Sequence, residues 1–351
     1  MSSTQKPLVF VTGASGLVGY AIVYHLLQAG YPVRGSARGK KVESLKKALS
    51  NYPQFEAVEI ADIASGDYSD NFKGVGAIIH TAAPVIGRAD KETAFRSAID
   101  GSIHVLKEAE KAGITKIVTT SSIVSFNLPV GPYAPDDWNP ITKEQAFESG
   151  NPLHIYFAEK KYADLAVIDF LKSRPHLDVT MICPPFIYGP VPPGFEEFLP
   201  EPSSVPALSS NGHVYGLLEG DKSQIPGIPG YVDIRDVARA HILALNSIPQ
   251  SAVSDGKLKR LAIASPVEND WREALKYIAK ERPHLKDRLT SPKKVPVFEE
   301  HDRLNGIDFG RLEEVLGLKK DEFKTWKETV LDAVDSFEKI EEGWKSRGLK
   351  F

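Results

Sequence analysis

The stretch Val9–Leu27, VFVTGASGLVGYAIVYHLL, changes rhythm in its middle. Residues suited to a buried strand give way to Gly13, Gly16 and Gly19, spaced by threes, and a helical apolar pattern follows. Bare glycines allow a tight turn and a close approach of backbone to a ligand. Free N–H groups and the positive end of the helix dipole favour a pyrophosphate there. A turn that merely requires glycine would read the same in isolation, so the rest of the chain decides.

Six runs, LVFVTG, PVRGSA, FEAVEI, AIIHTA, KIVTTSS and VTMICPPF, are apolar nearly throughout. Strands buried on both faces read that way, which means a parallel sheet sandwiched by helices. Apolar spacing at Ile22, Leu26 and Leu27, and again at Ile103, Leu106 and Ala109, marks helices between them. The predicted class is α/β, a doubly wound parallel sheet of the Rossmann type, with the glycine turn after its first strand.

Composition shifts after Tyr188. From Gly189 to Gly230 the chain is dense in Pro and Gly, which suggests loops over a pocket mouth. A helix returns in DIRDVARAHILALNS, RLAIAS reads as one more strand, and the tail places Trp326, Val330, Val334 and Phe337 on one helical face. The expected division is a dinucleotide-binding domain over 1–188, to which 232–266 returns. A smaller, loop-rich substrate lobe then comprises 189–231 and 267–351.

With 351 residues, 42% of them hydrophobic, the chain can bury a large core. Its net charge of -3 argues against nucleic acid or an anionic membrane as partner, since either demands a basic face. The one cysteine, Cys183, can form neither an internal disulfide nor a cysteine-rich zinc site, so a reducing compartment is the simplest setting. MSSTQKP lacks the apolar core of a signal peptide, and no window reaches the roughly 18 apolar residues of a membrane span. A cytoplasmic protein is expected.

The end of the second strand bears on the dinucleotide. An acidic residue about 20 positions beyond the glycines would take the ribose hydroxyls of NAD. Here the chain reads VRGSARGKK, with Arg38 at that point and no carboxylate until Glu43. Guanidinium matches phosphate in two parallel bonds, so NADP(H) is predicted, with Lys41 and Arg34 as possible helpers. The alternative is a surface arginine at the sheet edge. Asp62, after the third strand, reads equally as an acceptor for the adenine amino group and as a turn cap. The fourth strand ends in HTAAP, where small residues would let a cofactor lie across the strand ends; His80 there reads as core.

Catalytic groups belong at the carboxyl ends of the middle strands. The fifth strand ends at Thr120, Ser121 and Ser122, residue types that are also common turn formers. Further on, Tyr156 is the one of 12 tyrosines with a lysine four residues later, Lys160, and on a helix that spacing puts both on one face. A phenol titrates near about 10, and a neighbouring ammonium and an oxidised nicotinamide both favour the phenolate, which makes a usable acid–base group. A serine hydroxyl beside it would position the same substrate oxygen and stabilise developing charge.

TGASGLVG, HTAAP, TSS, YFAEK and PPFIYGP resemble, in order, the motifs of extended short-chain dehydrogenases/reductases, with spacing closest to the dihydroflavonol reductases and fungal aldehyde or methylglyoxal reductases. YVDIRDVARAH and IDFGRLEEVLGLKK extend the resemblance over most of the chain. It implies that Ser122, Tyr156 and Lys160 form a catalytic triad, with Lys160 also holding the nicotinamide ribose. It implies a cofactor site of Gly13, Ser15, Gly16, Leu17, Val18 and Gly19 around the pyrophosphate, and Arg38 and Lys41 at the ribose phosphate. Asp62 and Ile63 would meet the adenine, Thr81, Ala82 and Ala83 the strand-end stretch, and Pro184 and Phe186 the nicotinamide. One departure is Cys183, which stands before the proline where arginine or isoleucine is more usual and bears on placement of the nicotinamide.

The implied activity is an NADPH-dependent carbonyl reductase, acting as monomer or homodimer on a small aldehyde or ketone. A lid from 189–231, with Val85, Val124, Phe126 and Tyr188, would give an apolar lining suited to a hydrophobic or aromatic compound. Two rivals share the cofactor fold. A nucleotide-sugar epimerase or dehydratase would retain its cofactor, but the loops offer no clear basic cluster for a diphosphate sugar. A non-catalytic NADP(H)-sensing regulator would need no tyrosine–lysine pair.

Overall fold

A computed structural model describes residues 6–83, 91–129, 131–220, 225–298, 304 and 306–350. The amino-terminal half runs β1 (Leu8–Thr12), α1 (Leu17–Gln28), β2 (Val33–Ala37), α2 (Lys41–Ala48), β3 (Phe55–Glu59), β4 (Val75–His80), α3 (Lys91–Lys111), β5 (Lys116–Thr120), α4 (Lys143–Ser149) and α5 (Pro152–Leu171). It continues through β6 (Asp178–Cys183), β7 (Phe186–Tyr188), α6 (Gly212–Gly216), β8 (Tyr231–Asp233), α7 (Ile234–Leu245), β9 (Arg260–Ala262), α8 (Trp271–Glu281), α9 (Phe309–Leu316) and α10 (Trp326–Ser346).

Seven strands form one sheet in the order β3-β2-β1-β4-β5-β6-β9, every pair parallel. Direction of winding reverses between β1 and β4, which opens a crevice at the carboxyl ends of those two strands. Alternate side chains of β1 feed opposite layers. Val9 and Val11 pack with the face that carries α1 and α7, while Phe10 packs with Val105 and Leu106 of α3 and Val167 of α5.

The run VTMICPPF does not stay in the sheet. β6 ends at Cys183, because Pro184 and Pro185 have no N–H to offer a ladder, and Phe186 starts β7, which pairs in parallel with β8 in a separate two-stranded sheet. β9 adds to β6 at the far edge. The described residues between 189 and 230 are less open than the Pro and Gly content of the segment suggests. Phe195, Leu199, Leu208, Val214, Leu217 and Leu218 are buried in the α1-side core, and Tyr20 Oη donates to Pro193 O at 2.9 Å. Trp326, Val330, Val334 and Phe337 are buried along one face of α10, as their spacing predicts, and Trp326 meets Tyr188, Tyr231 and Trp271 ring to ring. Among the described residues, no helix is long and apolar enough to cross a membrane.

Candidate active site

At the crevice, β1 passes to α1 through a turn in which Gly13 has φ +68°, a left-handed conformation glycine adopts without strain. Gly16 is the N-cap of α1; it offers no capping side chain, and no acidic residue lies in the first turn. By contrast α7, α8 and α10 are capped by Asp233, Asp270 and Thr325. At α1, which faces the crevice, the lack of a capping side chain leaves the first N–H groups for an anion from outside the chain.

A groove of about 380 Å³ runs from this turn along the ends of β2, β4 and α3. Gly13, Ser15, Gly16, Arg38, Lys41, Asp62, Ile63, Thr81, Ala82 and Ala83 all line it. Its far wall is Ser97, Ala98, Gly101 and Ser102 of α3, which the sequence reading missed. Their signal was a run of small residues within one helix. Leu17, Val18 and Gly19 do not line the groove: Leu17 and Gly19 are buried beneath it, Val18 packs on the same core, and only their backbone can serve a phosphate.

Arg38 is exposed at the groove, and its guanidinium makes no hydrogen bond or ion pair among the described residues, so it is available to a ligand. Arg34 is not a helper. It points along the sheet edge, where Nε pairs with Glu56 at 2.7 Å and Nη1 donates to Asn71 O at 2.6 Å. Asp62 does cap a turn, accepting from Ser65 Oγ at 2.7 Å and Ala64 N at 2.9 Å, and these bonds hold its carboxyl below the usual range. It does so while lining the groove.

The β5 end turns through Ser122, whose extended backbone caps a short 3-10 turn at Ile123–Ser125 and whose Oγ accepts from Val124 N at 3.4 Å. Ser121 N donates to Ile182 O and Ile123 N to Pro184 O, so backbone bonds on both sides tie Ser122 to the β6 end. Pro184 is buried; Phe186 is half-buried and meets His213 edge-on at 5.3 Å. Cys183 is fully buried with its thiol pushed up to about 12 by burial, which makes it an inert apolar filler.

α5 starts where Asn151 Oδ1 accepts from Leu153 N at 2.9 Å and Pro152 takes the first helical position. That start sets the phase of Tyr156 and Lys160, which share one face, with Lys160 Nζ 5.8 Å from the Tyr156 ring centroid. Lys160 lines a small cavity of about 30 Å³ together with His80, Thr119, Ser121, Glu159 and Asp164. This cavity and the groove share Ala82, Ala83, Ala98 and Ser102, so Lys160 stands where the groove meets the strand ends. Tyr156, half-buried, and Ser122, buried, border neither space. His80 is core, bonded to Thr12 Oγ1 at 2.8 Å and pushed down to about 4 by burial. Glu159 was not anticipated: a buried residue lining the cavity beside Lys160, its carboxyl raised by desolvation. In the sequence it looks like an ordinary polar residue beside Lys160.

The parallel sheet, its switch-point groove and the tyrosine–lysine face of α5 together define an oxidoreductase of the extended short-chain dehydrogenase/reductase class. The chain belongs to the NAD dependent epimerase/dehydratase family, whose model matches residues 9–254. It is 30% identical over 350 residues to a ketoreductase of Aspergillus fumigatus, covering 94% of this chain and 97% of that one. It is 27% identical to the NADPH-dependent methylglyoxal reductase of Saccharomyces cerevisiae, covering 95% and 98%. The crystal structure of the yeast methylglyoxal/isovaleraldehyde reductase complexed with NADPH superposes with a TM-score of 0.77 at 25% identity, covering 96% of this chain and 99% of that one.

Proposed function

We propose that this protein is an NADPH-dependent reductase of aldehydes or ketones. The observation that carries the reading is the cavity behind the glycine-lined groove: it shares Ala82, Ala83, Ala98 and Ser102 with the groove and is lined by Lys160, which stands on the same face of α5 as Tyr156. The residues present fit a phosphorylated dinucleotide, since the uncapped amino end of α1 suits its pyrophosphate and the unpartnered Arg38 its ribose phosphate. When bound, NADPH supplies the hydride. Tyr156 Oη donates the proton to the carbonyl oxygen as charge develops there, and Ser122 Oγ donates a hydrogen bond to the same atom. The Lys160 ammonium favours the phenolate that Tyr156 leaves behind and offers donors to the nicotinamide ribose.

Of the apolar lining expected from the sequence, Phe126 and Tyr188 are 0% and 1% exposed and belong to the core, so they cannot meet substrate. Val85 lies outside the described residues. Of that lining Val124 is half-buried, and the reading of a hydrophobic or aromatic carbonyl compound rests on it.

The test is NADPH oxidation against a panel that includes methylglyoxal, isovaleraldehyde, aryl ketones and flavonoid-like ketones, with wild type and Tyr156→Phe. Turnover should fall by about 100-fold or more in the variant while NADPH binding persists. Silence across the panel, or a variant retaining a tenth of wild-type turnover, rejects the reading.

A further inference from the structure

Asp164 lies one helical turn beyond Lys160 on α5 and is buried. Its Oδ2 accepts from Ser121 Oγ at 2.7 Å, Ser125 Oγ at 2.9 Å and Arg260 Nε at 3.4 Å. Arg260, the first residue of β9, is 0% exposed. Its Nη2 donates to Ser125 Oγ at 2.7 Å, and its Nη1 donates to the carbonyl oxygens of Pro135 and Asp137 at 3.3 and 2.7 Å. The rings of Phe126 and Trp138 lie against the guanidinium, with centroids 3.6 and 3.8 Å from Cζ. Ser125 Oγ also stands 2.9 Å from Ser122 O. A hydroxyl has one proton, so Ser125 can give it to one acceptor at a time, and the carboxylate is the stronger.

A buried ion pair is a poor way to gain stability, because desolvation offsets its attraction and an apolar pair of similar volume packs as well. This one is built where four segments converge: the end of β5, α5, the 135–138 loop and β9. The residues it bonds, Ser121 and Ser125, bracket Ser122. Neither Asp164 nor Arg260 belongs to the motifs that identify the cofactor or the triad, and β9 lies far along the chain from all of them.

We propose that Asp164 and Arg260 are positioning residues for the reduction. The pair locks Ser121 and Ser125 so that the hydroxyl of Ser122, between them, holds its aim at the substrate oxygen. This inference rests on the reading of Ser122 as the hydroxyl that binds the carbonyl. A loosened serine hydroxyl weakens transition-state stabilisation without touching the groove where NADPH sits, so the loss belongs in kcat and not in cofactor affinity.

The experiment compares Ser122→Ala, Asp164→Asn and the double variant on the panel substrate of highest wild-type kcat/KM, with NADPH affinity from fluorescence titration as the measure of an intact fold. Asp164→Asn is expected to lose about tenfold or more in kcat with NADPH affinity within about twofold of wild type. The double variant should be no slower than Ser122→Ala alone, because groups that act through one another do not add. Ser125→Ala keeps the carboxylate and should show a smaller kcat loss that also vanishes in the Ser122→Ala background. If Asp164→Asn does not fold, the Ser125 pair decides by the same comparison. Wild-type kcat in Asp164→Asn, or losses that multiply in the double variant, overturns the inference while leaving the role of Ser122 intact. Wild-type kcat in Ser122→Ala overturns the role of Ser122 itself, a different result.

Discussion

Gly19 packs its bare α-carbon against the carbonyl group of Gly13: a Cβ there would stand 2.8 Å from the Gly13 carbonyl carbon and 2.8 Å from Thr81 Oγ1. Both neighbours belong to the groove, so the first turn of α1 can approach the strand end only without a side chain. Gly19→Ala should therefore force the phosphate turn apart, lowering Tm and weakening NADPH binding by about tenfold or more. Gly343, inside α10 with nothing near its Cβ position, is the control: Gly343→Ala should leave binding unchanged and gain up to about 1 kcal/mol of stability. Calorimetry and cofactor titration on the two variants check this.

On the proposed reading, Arg38 at the groove takes the ribose phosphate and so favours NADPH. A charge-assisted contact contributes about 1.5–3 kcal/mol, or about 10- to 150-fold in affinity, and only the ribose phosphate of NADPH can use it. NADPH should exceed NADH by that margin in kcat/KM, and added salt should weaken NADPH binding more than NADH binding. Arg38→Asp should shrink or reverse the ratio while activity with NADH survives. An unmoved ratio would return Arg38 to the role of a sheet-edge surface residue.

On the proposed reading Lys160 serves two neighbours, the Tyr156 phenol and the nicotinamide ribose, from the cavity that adjoins the groove. Lys160→Ala should lose both turnover, by about 100-fold or more, and several-fold in NADPH affinity. Normal affinity in that variant, measured by fluorescence, would remove the second duty and leave the first.

The buried Glu159 should cost stability in a pH-dependent way. Burial raises its carboxyl above the unfolded value of about 4.3, so between that pH and the higher folded value the unfolded chain has released a proton that the folded chain still holds. Stability contributed by this site is thus lost as pH rises through that window. Glu159→Gln does not titrate, and its Tm advantage over wild type should be larger at neutral pH than at pH 4. An advantage independent of pH would mean the carboxyl is solvated in the folded protein.

Much of this architecture was legible because it is local. The glycine spacing at Gly13, Gly16 and Gly19, the doubly apolar strands, and Tyr156 with Lys160 one turn apart are patterns a single segment carries, each tied to one backbone geometry. The misreadings share the opposite character. Phe126 and Tyr188 looked like pocket lining, yet one lies under the Arg260 guanidinium and the other in a ring cluster with Trp271 and Trp326. Arg34 looked like a partner of Arg38, but only the register with β3, which sets it opposite Glu56, shows that its guanidinium is already paired. Composition likewise made 189–230 look open, because Pro and Gly report the absence of regular hydrogen bonding and say nothing about burial.

The sheet, the switch-point turn, the place of Arg38 at the end of β2 and the tyrosine–lysine face could be read from the sequence, since each depends on side chains a few residues apart whose geometry one strand or helix dictates. It took the packed layers to show that Asp164 and Arg260, 96 positions apart in the chain, meet around Ser121 and Ser125, and that Glu159 is buried beside Lys160. The physical reason is that burial and long-range hydrogen bonds are set by which surfaces the packed layers bring together, and a carboxylate reads the same in the sequence whether it ends in water or in the core.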